Sequence, residues 1–187
     1  MRKSTEHGTG RPTHRPVPSG PARGEIATAV AVESEEAFPL PGPVVRMSAS
    51  GAYRLGWAYW EEVERTTRRL VRVRATAGGV ELRLLREGPV LLRFGHPELN
   101  VRATFVSCSY PIRGGLLTRG EGGVLALAQE RADTWCLRTS IRGFLPRLGT
   151  LPGRPGWTGF LYAHVQARVH RAVARRYVAH LVRGARP

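Results

Sequence analysis

From Val71 to Phe144 the apolar positions of this chain alternate with polar ones, or run in short blocks bounded by Gly, Pro, Asn and Asp, which is the signature of β-strands. Val71–Ala75 and Val80–Leu85 flank Gly78-Gly79, a hairpin signal. In the second of these strands Val80, Leu82 and Leu84 alternate with Glu81 and Arg83, so one face is wet. Further strands are expected over Val90–Phe94, closed by Gly95-His96-Pro97, then Val101–Tyr110, Val124–Gln129 and Thr134–Phe144. A helical period precedes and follows this block. Over Gly56–Leu70 the residues Trp57, Trp60, Val63, Thr67 and Leu70 share one face at about 100° per residue. Glu61 with Arg65, and Glu64 with Arg68, form i,i+4 pairs on the other side, each contributing about 0.3 kcal/mol. A long helix is expected from Thr158 to Val182, with an apolar stripe of Tyr162, Val165, Val169 and Val173. Helix, consecutive strands, helix is an α+β order, not alternating βαβ. The predicted fold is a curved antiparallel sheet wrapped around the long C-terminal helix, whose stripe covers the apolar face of the sheet.

The front of the chain divides differently. Residues 1–24 are rich in Gly, Pro, Ser, Thr, Arg and His, have almost nothing to bury, and read as a disordered basic tail. Residues 25–46 hold a candidate edge strand, Ile26–Val32, and a linker broken by Pro39, Pro41 and Pro43. Residues 47–184 form the single folded domain, and an alternative translation start at Met47 would make everything before it dispensable. At 187 residues the chain suits one domain with a sizeable core. No apolar run approaches the roughly 20 residues that span a bilayer, and residues 1–24 lack the apolar stretch of a signal peptide. The expected location is the cytoplasm, with Cys108 and Cys136 reduced and buried.

Charge adds one surface to this picture. The formal net charge is +15, yet Lys3 is the only lysine among 29 basic residues, an Arg preference that suggests a GC-rich genome. The informative feature is where acids are missing: Thr134 to Pro187 contains no Asp or Glu and ten arginines. On the last helix His164, Arg168, Arg171 and Arg175 fall within about 60° of one another. Such a stripe is a candidate docking site for the phosphates of nucleic acid or an anionic membrane. The commoner use of a basic stripe is a solvated outer face. Arg176 projects near the apolar stripe, where it either snorkels or meets a buried acceptor.

Catalytic and metal signatures are missing. His164, His170 and His180 have no metal-ligand spacing, and there is neither H-E-x-x-H nor C-x-x-C. Asp133 is the only aspartate, it sits in a turn, and no G-x-S-x-G elbow accompanies it. Glu61, Glu62 and Glu64 read as helix surface, and His96-Pro97-Glu98 as hairpin punctuation. The Gly-rich segment Gly114–Gly123 lacks a phosphate-loop pattern and lies between strands, so it reads as a turn or a mobile loop. No metal or other cofactor is expected.

This element order resembles the helix-grip fold of the SRPBCC superfamily, which includes START-like lipid-binding domains and polyketide cyclases. The resemblance covers about residues 56–183 and rests on order rather than on a motif. Two segments also look like bacterial proteins of that kind: Tyr110-Pro111-Ile112-Arg113-Gly114-Gly115-Leu116-Leu117, and Gly143-Phe144-Leu145-Pro146-Arg147-Leu148 followed by Leu161-Tyr162 and His170 through Tyr177. Neither is a catalytic signature. The departure is at the front, where the superfamily has a strand and two short helices and this chain has a Pro-rich stretch and one helix. The resemblance implies an apolar cavity between sheet and terminal helix. The expected ligand-binding residues are Trp60, Phe105, Tyr110, Trp135 and Tyr162, with His170 or Arg176 meeting a polar head. Two functions follow: a binder of a hydrophobic or amphipathic small molecule such as a lipid, or a basic module docking through the terminal helix. A cyclase- or hydrolase-like enzyme would need a polar pair inside the cavity, and no such pair is identified by the residues alone.

Overall fold

The computed structural model describes residues 31–147 and 157–185, with the backbone alone for residues 32 and 157–170. Ten elements follow one another: β1 (Val32–Leu40), α1 (Ala49–Thr66), β2 (Val71–Thr76), β3 (Gly79–Leu84), β4 (Val90–Phe94), β5 (Glu98–Arg102), β6 (Phe105–Gly114), β7 (Val124–Arg131), β8 (Trp135–Phe144) and α2 (Trp157–Gly184). The eight strands form one antiparallel sheet in the order β1-β8-β7-β6-β4-β3-β2, with β5 added beside β6. The first half of β6 pairs with β5 and its end pairs with β4, so two strands share one side of it. Bulges at Leu82/Arg83 and Arg93/Phe94 strengthen the twist where the sheet bends. Among the described residues the architecture is α+β: one antiparallel sheet and two helices.

Alternation decides the faces. In β6 Val106, Cys108, Tyr110 and Ile112 are buried, while Phe105, Ser107 and Ser109 between them are half-exposed. The inward side chains of β7 and β8, including Leu125, Leu127, Leu137 and Phe144, join them in one core with Leu55, Tyr59, Trp60 and Val63 of α1. The described part of α2 adds Val173, Tyr177 and Leu181. Among the described residues α1 lies on the sheet, chiefly on β6, β2 and β5, and α2 packs on α1.

Several elements depart from the sequence pattern. The first helix starts at Ala49 and not at Gly56, because Ser48 caps it and accepts from the Gly51 amide at 3.2 Å. It stops at Thr66, since Arg68 and Arg69 take left-handed φ of 50° and 62°. Its buried face differs from the expected one: Trp60 and Val63 are inside, but Trp57 is 63% exposed and Leu70, outside the helix, 57%. Glu61 does pair with Arg65, at 3.2 Å, whereas Glu64 turns away from Arg68 to the Val73 amide (2.8 Å) and Arg72 (3.7 Å). The single strand expected over Val101–Tyr110 is a hairpin of β5 and β6, with Arg102 opposite Phe105. Pro39 does not break the chain. It sits in β1, an edge strand, where a missing N–H is tolerated. Ile26–Val30 lie outside the described residues.

The Gly-rich connection is tied to neighbouring backbone. Leu116 and Leu117 donate their amides to Val90 and Leu91, and Thr118 is buried and bonded to the Leu145 carbonyl at 3.1 Å. Gly115 has φ of 127°, and a Cβ there would stand 2.4 Å from the Leu91 oxygen. Only glycine fits that backbone.

Candidate functional site

One side of α1 faces the β2–β3 end of the sheet without filling the space between them. Residues 53, 57, 60, 61 and 64 fall on one stripe at about 100° per residue. Tyr53, Trp57, Glu61 and Glu64 form the helical wall of a cavity of ≈ 440 Å³, with Trp60 and Tyr110 also lining it. The opposite wall is Val73, Ala75 and Thr76 of β2 with Gly79 and Val80 of β3, and His96-Pro97 of the β4–β5 connection completes it. Gly79 is needed there: its φ is 126°, and a Cβ would stand 2.3 Å from the Phe94 oxygen.

The polar groups of the helical wall are held in place. Trp57 donates its indole N–H to Glu61 Oε1 at 3.1 Å, which fixes an exposed ring at the rim. Glu61 Oε2 meets Arg65 at 3.2 Å. Glu64 Oε1 accepts the Val73 amide, tying helix to strand across the cavity. Deeper in, Trp60 packs edge-to-face on Tyr110 (5.0 Å between ring centroids) and against Phe94 (5.1 Å). Tyr110 reaches the backbone of α1 at Gly56, where a Cβ would stand 2.2 Å from its hydroxyl. Burial first, then the neighbouring Cys108, pushes the Tyr110 phenol well above its ordinary pKa, so it stays protonated. A smaller apolar void of ≈ 80 Å³ lies behind Trp60, lined by residues such as Val63, Leu82, Leu92, Phe94 and Phe144.

The residues singled out by sequence are dispersed. Trp60 and Tyr110 meet in the cavity. Phe105 is on the outer face of β6, and Trp135 is half-buried at the far end of β8 with Arg131 stacked over it at 5.7 Å. Arg176 is exposed and has no buried acceptor among the described residues. The side chains of Tyr162, His164, Arg168 and His170 lie outside the described residues. Arg171 and Arg175 are exposed, and Arg171 approaches Glu36 of β1 at 3.8 Å. The described cavity thus lies between sheet and α1, rather than against the terminal helix. Sequence reasoning missed Tyr53, Trp57, Glu61, Glu64 and His96 as lining residues. The stripe was visible, but Trp57 was assigned to the core and the glutamates to the solvent, because periodicity within one helix does not say which neighbouring elements fail to cover it.

Among the described residues no group of three or more His, Cys, Asp or Glu is placed to hold a metal ion, and no helix is long and apolar enough to cross a membrane. Both cysteines are free, Cys108 buried and Cys136 half-buried.

No protein-family model matches this chain, and no curated protein does. Among solved structures, the crystal structure of Ara h 8.0201 aligns with a TM-score of 0.41 at 16% identity, covering 80% of this chain and 99% of that one. At that distance the likeness carries nothing about function.

Proposed function

We propose that this protein binds an apolar or amphipathic small molecule in the cavity between α1 and the β2–β3 end of the sheet, as a helix-grip domain of the SRPBCC kind. The observation behind it is a recess of ≈ 440 Å³ with aromatic and aliphatic walls and few polar groups. Ligand sites are commonly about 300–1,000 Å³ and built that way. Tyr53 and Trp57, 55% and 63% exposed, add a pair of neighbouring aromatic rings at the rim.

Native mass spectrometry after purification through high salt tests this, with the neutral dye Nile red as an added probe. A bound mass extracted by organic solvent, or dye fluorescence abolished by Ala75→Trp, which fills the cavity from β2, is the expected result. A bare protein mass together with no dye binding removes the reading. The second reading, docking of α2 on nucleic acid or anionic membrane, draws on the exposure of Arg171 and Arg175. It requires binding to DNA or anionic vesicles that falls steeply with salt and weakens in Arg175→Glu.

A further inference from the structure

We propose that the occupant of this cavity carries a positive charge: an amine or quaternary ammonium on an apolar body. The inference rests on the cavity being a ligand site and names the class of ligand.

The chain has 29 basic and 14 acidic residues, yet the described lining of the cavity holds two glutamates and neither Arg nor Lys. Glu61 and Glu64 are one helical turn apart on α1, so both carboxylates face the same space. Each has one oxygen anchored from the protein side, Glu61 by the Trp57 indole and Glu64 by the Val73 amide. The other oxygens meet Arg65 at 3.2 Å and Arg72 at 3.7 Å. His180 Nε2 also lies 3.8 Å from Glu61 Oε2; Arg65 is exposed and Arg72 half-exposed, and solvent-screened pairs of this kind contribute only about 0–1 kcal/mol. A partly desolvated cation in the cavity can share these carboxylates, since an ionised carboxylate has about four acceptor sites.

The aromatic content points the same way. Tyr53 and Trp57 at the rim and Trp60 and Tyr110 deeper in are the ring types whose faces attract cations, Trp most strongly. An anionic ligand would meet two fixed carboxylates in a recess that offers no guanidinium.

Isothermal titration at pH 8 tests this with three probes sharing one ring system. These are (2-naphthylmethyl)trimethylammonium, 2-naphthylmethanol and 2-naphthylacetate. The cation is expected to bind at least about tenfold tighter than the alcohol, with the acetate weakest, against the pull of a +15 chain. The double variant Glu61→Gln/Glu64→Gln keeps an amide oxygen for Trp57 and for Val73, so the walls stay in place. It is expected to lose the preference for the cation while still binding the alcohol. Equal affinities, a preference for the acetate, or a cation preference that survives in the double variant would overturn the inference and leave the cavity reading intact. Nile red binding with none of the three probes bound would do the same. No binding by any probe, dye included, removes both.

Discussion

Gln129 shows how much one side chain can decide. It is fully buried on β7, accepts the amides of Val44 (2.7 Å) and Val45 (3.0 Å) through Oε1, and donates Nε2 to the Val45 carbonyl at 2.9 Å. These bonds hold the segment between β1 and α1 onto the sheet. Gln129→Leu is expected to cost about 2–4 kcal/mol, because it strands two buried N–H groups and a carbonyl, and denaturant titration would measure it. Gln129→Glu keeps the acceptor and loses the donor, so it does not restore stability. Gly56 is a second such position. Alanine would improve helix propensity by about 1 kcal/mol, but its Cβ would stand 2.2 Å from the Tyr110 hydroxyl and 3.0 Å from Cys108 Sγ. Tyr110 is buried and cannot retreat, so overpacking of about 1–3 kcal/mol outweighs the gain. Gly56→Ala is expected to be destabilised, and adding Tyr110→Phe, which deletes the clashing oxygen, should recover most of the loss. Equal damage in the single and double variants would refute this account.

Between elements, the contact of α1 with α2 has a polar clamp beside its apolar core. Glu62 is buried and accepts from Arg65 at 2.6 Å and from His180 Nδ1 at 2.9 Å. That contact needs the His180 proton on Nδ1, so Arg65 Nη1, 2.6 Å from the same nitrogen, donates to Glu62 and not to the ring. Burial pushes the Glu62 carboxyl up, but the hydrogen bonds from His180 and Arg65 outweigh it and the net displacement is downward. Glu81, between Arg83 at 2.8 Å and Arg93 at 3.2 Å on β3, is also lowered, first by the bond to Arg83. Both carboxyls have folded-state pKa values below the unfolded value of about 4.3. Their contribution to stability is complete above that value and is lost as pH falls through the folded values. The melting temperature is therefore expected to drop steeply below about pH 4, and Glu62→Gln should flatten that slope while lowering stability at neutral pH.

For the whole molecule, the stretch ahead of Met47 is part of the fold. β1 pairs with β8 along its length, and Leu40, Val44 and Val45 are in the core. A chain begun at Met47 would expose the edge of β8 and orphan Gln129. It is expected to aggregate or to lose its cooperative melt, which circular dichroism on the truncated protein would reveal.

Much of this was written in local order. Period-two alternation marks β2 and β3, and short blocks between turn residues mark β4, β7 and β8, to within a few residues. The last helix is equally legible, since Phe160–Arg183, 24 residues without Gly or Pro, has few other ways to fold. The α+β class follows from their order alone. The sequence could not decide how much of this aromatic side of α1 is inside, because Tyr53, Trp57 and Trp60 share one stripe, Tyr59 lies beside it, and all four are apolar enough for a core. Burial was settled by the elements around the helix, with Trp60 against Tyr110 of β6 and Phe94 of β4, Tyr59 against Tyr177 of α2, and Trp57 left at the rim of a gap. Nor could it join Glu61 and Glu64 of α1 to Val73 of β2 and His96 of the β4–β5 turn, since a cavity is made by elements that fail to touch. Periodicity reports which side of one element avoids water; which elements then share a space depends on strand register and helix placement, and these exist only in the folded chain.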